Sequence, residues 1–329
     1  MTPASIPLAI GAALAAALAA TPVFAQSDAP YPSRPMRIVV PFPPGGGADL
    51  TARTIGQKMG EALGQPVVVD NRPGANGLIG TELVAKGAPD GYTILLVDRG
   101  ALGINPSLYS KLPYDPLKDF AYVGIATEAP YVLVVNSKLP AKSVPELVAL
   151  AKARPRSIHY GSFGVGSMAQ LNLEAFNQRL GTDLQHVPYK GAAAAVNAVV
   201  AGEVDVAVTS APSVLGFIRD GRLRAIAVGA DKRLALLPEV PTIAEAGADA
   251  DILVPTYFAL AAPAGTPPQV IARLNAELKR AVASPDVSNR LIASGLVPAG
   301  GAPEAMANTV KKDVAWFGAL VRTIGIRPE

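Results

Sequence analysis

The chain has 329 residues, 50% hydrophobic and 17% charged, so it can bury the core of one large domain or of two ordinary ones and is not a disordered chain. Its 29 basic and 26 acidic residues are interspersed, and together with few aromatic residues and a formal net charge of +3 this argues against nucleic-acid binding. The lack of cysteine excludes disulfides and thiolate chemistry, and with only two histidines we expect neither a metal site nor a cofactor.

Residues 1–25 have the features of an export signal. An Ala- and Leu-rich run over residues 6–20 precedes Val23 and Ala25, which suit the −3 and −1 positions of a cleavage site. The basic residues that usually start such a signal are missing from MTPASIP. A transmembrane helix is the alternative, but the run is too short to span about 30 Å of hydrocarbon. We expect cleavage after Ala25 and an exported protein.

Strand and helix patterns alternate along the rest of the chain. MRIVVPF, LTARTIGQKMGEAL, PVVVD, GLIGTELVAKG and YTILLVD are typical of strand, helix, strand, helix and strand. A second alternating unit starts at residue 121 and contains a helix whose Ser143 and Glu146 have the spacing of a capping box. The strand YFALAAPAG and two amphipathic helices, from Pro267 and from Pro303, complete the chain. This order predicts an α/β protein with two lobes, mostly parallel sheets and a cleft between the lobes.

The segment FPPGGGAD, residues 42–49, connects the first strand to the first helix. Ligands of open parallel sheets collect at the carboxyl ends of the strands, where helix N-termini direct backbone N–H groups outward. Proline keeps the chain extended, and glycine lets a ligand approach the backbone without a Cβ in the way. Asp49 lies where we expect the N-cap of the helix. The segment therefore predicts an anion site, and a purely structural turn is the alternative.

A second segment of the same kind, HYGSFGVGSMAQL, covers residues 159–171. We expect its Ser162 and Ser167 hydroxyls and the amides of residues 164–167 to be available to a ligand. The segment also fits the dinucleotide pattern G-x-G-x-x-A, but Asp183 starts the next strand, whereas a ribose-binding acid ends it. No Walker motif and no G-x-S-x-G motif occur. A nucleotide-binding enzyme is thus the weaker alternative, and we expect no catalysis.

Six segments carry a resemblance to a known family: YPSRPMRIVVPFPPGGGADLTAR, VVVDNRPGANGLIGTELVAKGAPDGYT, INPSLYSKLPYDPLKDF, HVPYKGAAAAVNAVVAGEVDV, LPEVPTIAEAG and APAGTPPQVIARLN. From about Tyr31 onward the sequence resembles the TctC/Bug family of periplasmic receptors of tripartite tricarboxylate transporters. The resemblance implies a type II periplasmic binding protein fold that closes on a small carboxylate. It also implies that backbone N–H groups of two strand-to-helix loops hold this carboxylate, with ordered waters bridging.

The resemblance and the element pattern together place lobe 1 at residues 26–127 and 253–329 and lobe 2 at residues 128–252. The expected ligand-binding residues come from four places in the two lobes. They are Phe42, Pro44, Gly45, Gly46, Ala48 and Asp49; Arg99, Gly100 and Ala101; Ser162, Gly164, Gly166 and Ser167; and Thr209, Ser210 and Ala211.

The sequence departs from the family after its third strand. Many relatives have small polar residues and a histidine before INP, whereas this chain has DRGALG at residues 98–103. Leu102 indicates a more apolar pocket. Arg99 either clamps a second ligand carboxylate, or is a solvated loop charge or the partner of a nearby acid. The first interpretation of Arg99 predicts a dicarboxylate or an aromatic carboxylate as ligand.

The resemblance also implies partners. We expect a monomeric receptor that delivers its ligand to membrane subunits of the TctA and TctB type. A receptor that reports ligand to a membrane sensor kinase is the alternative.

Overall fold

The computed structural model describes residues 31–326, so the predicted signal at residues 1–25 lies outside the described part of the chain. Within residues 31–326, no helix is both long enough and apolar enough to cross a membrane.

Eleven strands form two sheets in the described residues. The strands are β1 (Met36–Val40), β2 (Val67–Asn71), β3 (Thr93–Asp98), β4 (Phe120–Ala129), β5 (Tyr131–Asn136), β6 (His159–Ser162), β7 (Gln185–Pro188), β8 (Val206–Ser210), β9 (Leu223–Gly229), β10 (Thr256–Pro263) and β11 (Val297–Gly300).

Helices connect the strands and cover the sheets. They are α1 (Gly47–Leu63), α2 (Leu78–Ala85), α3 (Asn105–Leu108), α4 (Val144–Ala153), α5 (Met168–Leu180), α6 (Ala192–Ala201), α7 (Ala211–Arg219), α8 (Pro268–Ala283), α9 (Pro285–Ala293) and α10 (Pro303–Thr323). A π-helical turn, Gly100–Ile104, joins β3 to α3. The strands and helices predicted from the alternating pattern are present, whereas α3, α7, α9 and β11 were not anticipated.

The two sheets are mixed, which corrects the expectation of mostly parallel sheets. The first sheet has the order β11-β4-β10-β3-β1-β2, and the second has the order β7-β6-β8-β5-β9. β1 is parallel to β2 and β3, and β6 is parallel to β7 and β8. β10 is antiparallel to β3 and β4, and β5 is antiparallel to β8 and β9. The difference arises because β5 and β10 follow the two passages of the chain between the sheets and run against their neighbours.

The chain passes from the first sheet to the second between Ala129 and Tyr131, and returns between Gly229 and Thr256. The predicted lobe boundaries, at residues 127/128 and 252/253, lie next to or within these two passages. They stay a prediction. Helix α10 packs on both cores. Its Met306 and Val310 join the apolar cluster of the first sheet, and its residues Phe317, Leu320 and Val321 join that of the second.

Local sequence explains how several helices start. Half of the capping box predicted for α4 is present, because the Ser143 hydroxyl accepts the Glu146 N–H at 3.3 Å. The Glu146 carboxylate accepts, at 2.8 Å, the N–H of Lys142, the residue before the N-cap, and not that of Ser143 itself. Ser167 has the same role at α5, where its hydroxyl accepts the Gln170 N–H at 3.4 Å. A side-chain cap satisfies one of the N–H groups that a helix start leaves without a partner.

Candidate ligand-binding cleft

A cavity of about 200 Å³ lies between the two sheets, and both contribute to its walls. The first sheet and its connections supply Phe42, Asn76, Asp98, Gly100, Ala101, Ile104 and Asn105, and the second supplies Tyr131, Phe163, Gly164, Val165, Gly166, Ser167 and Met168. Of the predicted ligand-binding residues, the cavity brings together Phe42, Gly100, Ala101, Gly164, Gly166 and Ser167.

The β6–α5 loop, residues 163–167, forms one wall of the cavity. Most of its predicted N–H donors are already occupied by the protein's own atoms. The Gly164 N–H donates to the Ser162 Oγ at 3.2 Å, and the Gly166 N–H donates to the Gln170 Oε1 at 2.8 Å. The Ser167 N–H donates to the Gly164 carbonyl oxygen at 3.3 Å. In this conformation these three of the four predicted amides are thus not free to bind an anion.

Donors remain at the first turn of α5. The N–H groups of Met168 and Ala169 precede the first possible helical hydrogen bond and have no acceptor within the helix. Met168 lies on the cavity wall beside Ser167. Ser162 lies deeper, fully buried, with its Oγ 2.6 Å from the Nε2 of His186. The N-terminus of α5 is therefore the part of this loop that can accept an anion from the cavity.

The β1–α1 loop, residues 41–46, differs in exposure and in charge. Pro44, Gly45 and Gly46 are exposed, and only Phe42 of this loop reaches the cavity wall. A Cβ built on Gly45 or Gly46 meets no atom within 4 Å. Gly46 is the N-cap of α1, so the N-cap predicted at Asp49 is wrong by one helical turn.

Asp49 is buried at the third position of α1, and next to it Ala48 is buried as well. The Asp49 carboxylate accepts hydrogen bonds at 3.0 Å from the Gly45 N–H, from Arg53 Nε and from Asn71 Nδ2. Burial raises the pKa of this carboxyl, but these hydrogen bonds and the Arg53 charge outweigh burial and hold the pKa below its usual value. The N-terminus of α1 thus already has an internal carboxylate, which reduces its attraction for an anionic ligand.

Asp98 ends β3 and is partly exposed on the cavity wall. Its Oδ1 accepts the Ala101 N–H at 2.9 Å. Burial raises the pKa of Asp98 to about 6, because it outweighs the hydrogen bonds from nearby backbone N–H groups. Of the described residues that line the cavity, Asp98 alone carries a full charge at neutral pH, and it is an acid.

Arg99 points away from this cavity. Its Nε lies 3.3 Å from the Oδ2 of Asp313, close enough for an ion pair although the angle does not make a hydrogen bond. The guanidinium also lies 4.8 Å from the ring centroid of Tyr257. The side chain is 12% exposed and borders a separate cavity of about 360 Å³ beside α10. Of the interpretations of Arg99, the structure shows the pairing with a nearby acid. Leu102 is fully buried in the core and does not line the cavity, which corrects the expectation of a pocket made more apolar by this residue.

The third predicted wall lies beside the cavity and does not line it. Thr209 and Ala211 are buried, and the Ser210 hydroxyl pairs with the Ser213 hydroxyl at 2.9 Å. Ser210 is the sheet neighbour of Tyr131, which does line the cavity.

Several lining residues were missed from the sequence. Asp98 and Asn105 flank the π-helical turn, and the position of Asp98 at the carboxyl end of a strand was the available signal. Tyr131 and Phe163 bring two aromatic rings together, with centroids 6.4 Å apart. No local pattern predicts this ring pair, because Tyr131 starts β5 whereas Phe163 lies in the loop after β6, and β5 and β6 are not adjacent in the sheet.

Comparisons with known proteins agree with this architecture. The family described as "Tripartite tricarboxylate transporter family receptor" matches residues 51–326. Protein BugT of Bordetella pertussis is 39% identical over 319 residues, which cover 97% of each chain. A structure from R. palustris with adipate is 34% identical, has a TM-score of 0.77, and covers 91% of this chain and 100% of that one. MatC from Rhodopseudomonas palustris with bound malate is 33% identical, has a TM-score of 0.72, and covers 88% of this chain and 100% of that one.

These likenesses confirm the predicted two-lobe periplasmic binding protein fold. The family consists of solute-binding receptors and not of enzymes, which confirms the expectation of a binding function without catalysis. The chain belongs to the TctC/Bug family of receptors of tripartite tricarboxylate transporters.

Proposed function

We propose that this chain is an extracytoplasmic receptor that binds a small carboxylate in the cleft between its two sheets and delivers it to a tripartite tricarboxylate-type transporter. The observation that carries the proposal is the N-terminus of α5, which opens into a cavity bounded by both lobes. Solved relatives with adipate and with malate support a carboxylate ligand.

The α5 terminus supplies part of the binding free energy. Each hydrogen bond to a charged carboxylate contributes about 1.5–3 kcal/mol. Two such bonds give roughly 3–6 kcal/mol, whereas association costs at least ~4 kcal/mol and micromolar affinity needs about 8 kcal/mol net. Burial of the ligand body against Phe42, Tyr131 and Phe163, together with closure of the lobes, has to supply the difference. Arg99 pairs with Asp313 and therefore does not support binding of a second ligand carboxylate. The prediction that the ligand is a dicarboxylate or an aromatic carboxylate is left to the binding test.

Calorimetry on residues 26–329 tests the binding step. We expect at least one small carboxylate to bind with micromolar or better affinity, and the panel is C4–C8 dicarboxylates, terephthalate, citrate and nicotinate. Binding only to uncharged sugars or to free cations contradicts the proposal.

A matched pair of serine caps tests the location of the carboxylate. Ser167→Ala removes the cap of α5 at the cavity, and Ser143→Ala removes the equivalent cap of α4, which is not part of the cavity wall. Each change costs about 1 kcal/mol of stability. We expect carboxylate affinity to fall several-fold in Ser167→Ala and to stay unchanged in Ser143→Ala. Equal affinities in the two variants would remove the α5 terminus from the site.

Cellular role and export need separate tests. We propose that residues 1–25 direct export and that the loaded receptor meets TctA- and TctB-type membrane subunits. A deletion strain should lose uptake of the labelled ligand. Intact uptake with loss of a ligand-induced transcriptional response would favour the sensor-kinase alternative. Detection of the unprocessed chain in the cytoplasm would contradict export.

A further inference from the structure

The charge of the cleft has the opposite sign from the one that a dianionic ligand requires. Asp98 is the one fully charged residue among the described residues of the cavity wall, and within residues 31–326 it forms no ion pair with a cationic side chain. The neighbouring Arg99 turns away to Asp313 on α10. The Asp98 carboxylate accepts the Ala101 N–H at 2.9 Å, but this backbone donor carries no net charge. A ligand group placed next to Asp98 therefore meets a carboxylate without a protein counter-ion, and a second ligand carboxylate there is repelled.

The aromatic residues of the cavity also favour a positively charged ligand group. Phe42, Tyr131 and Phe163 all line it, and the rings of Tyr131 and Phe163 have centroids 6.4 Å apart. The face of an aromatic ring is electron-rich and attracts ammonium groups. Three rings and one acid form surroundings that suit a cationic nitrogen.

Of the two side-chain amides on this side of the cavity, Asn76 and Asn105, that of Asn105 is already engaged. The Asn105 Nδ2 donates to the Asn76 carbonyl oxygen at 3.2 Å and lies 3.4 Å from the Tyr114 hydroxyl. The Tyr114 hydroxyl in turn donates to the Ala101 carbonyl oxygen at 2.6 Å. On this side of the cavity, these contacts leave the Asn105 amide with little capacity to hold an anion. The donors for an anion lie at the other side, at the first turn of α5.

We propose that the ligand is an amino-carboxylate, which binds with its carboxylate at the N-terminus of α5 and with its ammonium group against Asp98. This inference rests on the proposed carboxylate-receptor function and narrows its ligand class. Asp98 is then the residue that selects zwitterions over plain organic acids of the same length. This selection follows from the charges, because the α5 N-terminus attracts the ligand carboxylate and Asp98 attracts the ligand ammonium group.

Matched ligands test the selection on the intact protein. Calorimetry compares α- and ω-amino acids of two to six carbons with the mono- and dicarboxylates of the same carbon number, for example 6-aminohexanoate with hexanoate and adipate. We expect at least one amino-carboxylate to bind about tenfold or more tightly than both of its matched acids. In Asp98→Asn that preference should fall to about threefold or less.

Asp183→Asn is the control variant, because it removes one acid at an exposed site outside the cavity and should keep the preference. The inference is overturned if plain acids bind wild-type protein as well as or better than every amino-carboxylate, and the carboxylate-receptor function then stands. It is also overturned if Asp98→Asn keeps the preference. If no organic acid of either kind binds, the proposed function fails together with the inference. The wild-type comparison decides the matter even if Asp98→Asn does not fold.

Discussion

The two strand-to-helix loops of the cleft look alike in sequence but differ in structure. Both follow a strand of the parallel part of a sheet, both are glycine-rich, and both lead into a helix. The β6–α5 loop lies on the cavity wall and is held by its own hydrogen bonds. The β1–α1 loop is largely exposed, and a buried carboxylate, Asp49, lies at the start of its helix.

The difference shows that a glycine-rich turn before a helix is not by itself an anion site. At α1 the N-terminal charge is already matched by Asp49, which Arg53 balances in turn. At α5 the first turn has no acidic residue, and its cap is the neutral Ser167. The helix that keeps its N-terminus free of an internal carboxylate is the one that can attract a ligand carboxylate.

Replacing one glycine by alanine in each loop should give the largest difference between the loops, both in stability and in carboxylate affinity. Gly166 has φ +76°, and a Cβ there would lie 2.6 Å from Leu108 Cδ1, whereas Gly46 has φ −84° and open space around it. We expect Gly166→Ala to cost about 2–4 kcal/mol through backbone strain and overpacking. Gly46→Ala should cost no more than about 1 kcal/mol, because alanine is a poorer N-cap than glycine but meets no steric obstacle here.

Urea unfolding measures the stability of both glycine variants, and calorimetry measures carboxylate affinity. We expect affinity to fall about tenfold or more in Gly166→Ala and to stay within about threefold in Gly46→Ala. A large loss of affinity in Gly46→Ala would place the β1–α1 loop in the site, as the sequence predicts.

Removal of the internal carboxylate should destabilise the β1–α1 loop. Asp49→Asn weakens the hydrogen bonds to a charged, buried acceptor and should cost about 1–3 kcal/mol at pH 7. Because the pKa of Asp49 is lowered in the folded state, its charge stabilises fully above the unfolded pKa of about 3.9. The difference from wild type should shrink as pH falls through the folded pKa. A pH-independent difference in urea unfolding would contradict this role of the charge.

Asp98 should show the opposite dependence on pH. Its pKa is raised from 3.8 to about 6, so the folded state binds the proton more tightly, and wild-type stability falls as pH rises through that window. The charged groups nearest in sequence and space do not offset this cost, since Arg99 faces Asp313 and the neighbouring Tyr131 and Tyr114 are neutral. Ligand-free Asp98→Asn should therefore be more stable than wild type by about 1–2 kcal/mol at pH 8 and equal to it near pH 4. A destabilised variant at pH 8 would show that the hydrogen bonds to the charged Asp98 carboxylate outweigh its burial.

The smallest effect on binding is expected at Arg99. The double variant Arg99→Gln with Asp313→Asn removes both charges of the pair and leaves no unpaired ion in the interior. We expect carboxylate affinity to change by less than about threefold. A loss of about tenfold or more for dicarboxylates alone would restore the clamp that the sequence suggested.

Local sequence was sufficient for most of the strands and helices but insufficient for the charge partners of the cleft residues. Alternating apolar patterns identified the strands and helices, and the spacing of Ser143 and Glu146 identified a cap, because these features depend on near neighbours in the chain. One of the partners of Asp49 is Asn71 and the partner of Arg99 is Asp313, and both come from distant segments. Only the folded arrangement of β2 beside β1 and of α10 across both cores brings them together.

The most direct test is a crystal structure of the protein with the tightest-binding acid from the calorimetric panels. We expect the ligand in the cavity between β3 and α5, with one carboxylate oxygen within about 3 Å of the Met168 or Ala169 N–H. A ligand carboxylate held at the β1–α1 loop, with no contact to the first turn of α5, would contradict the account.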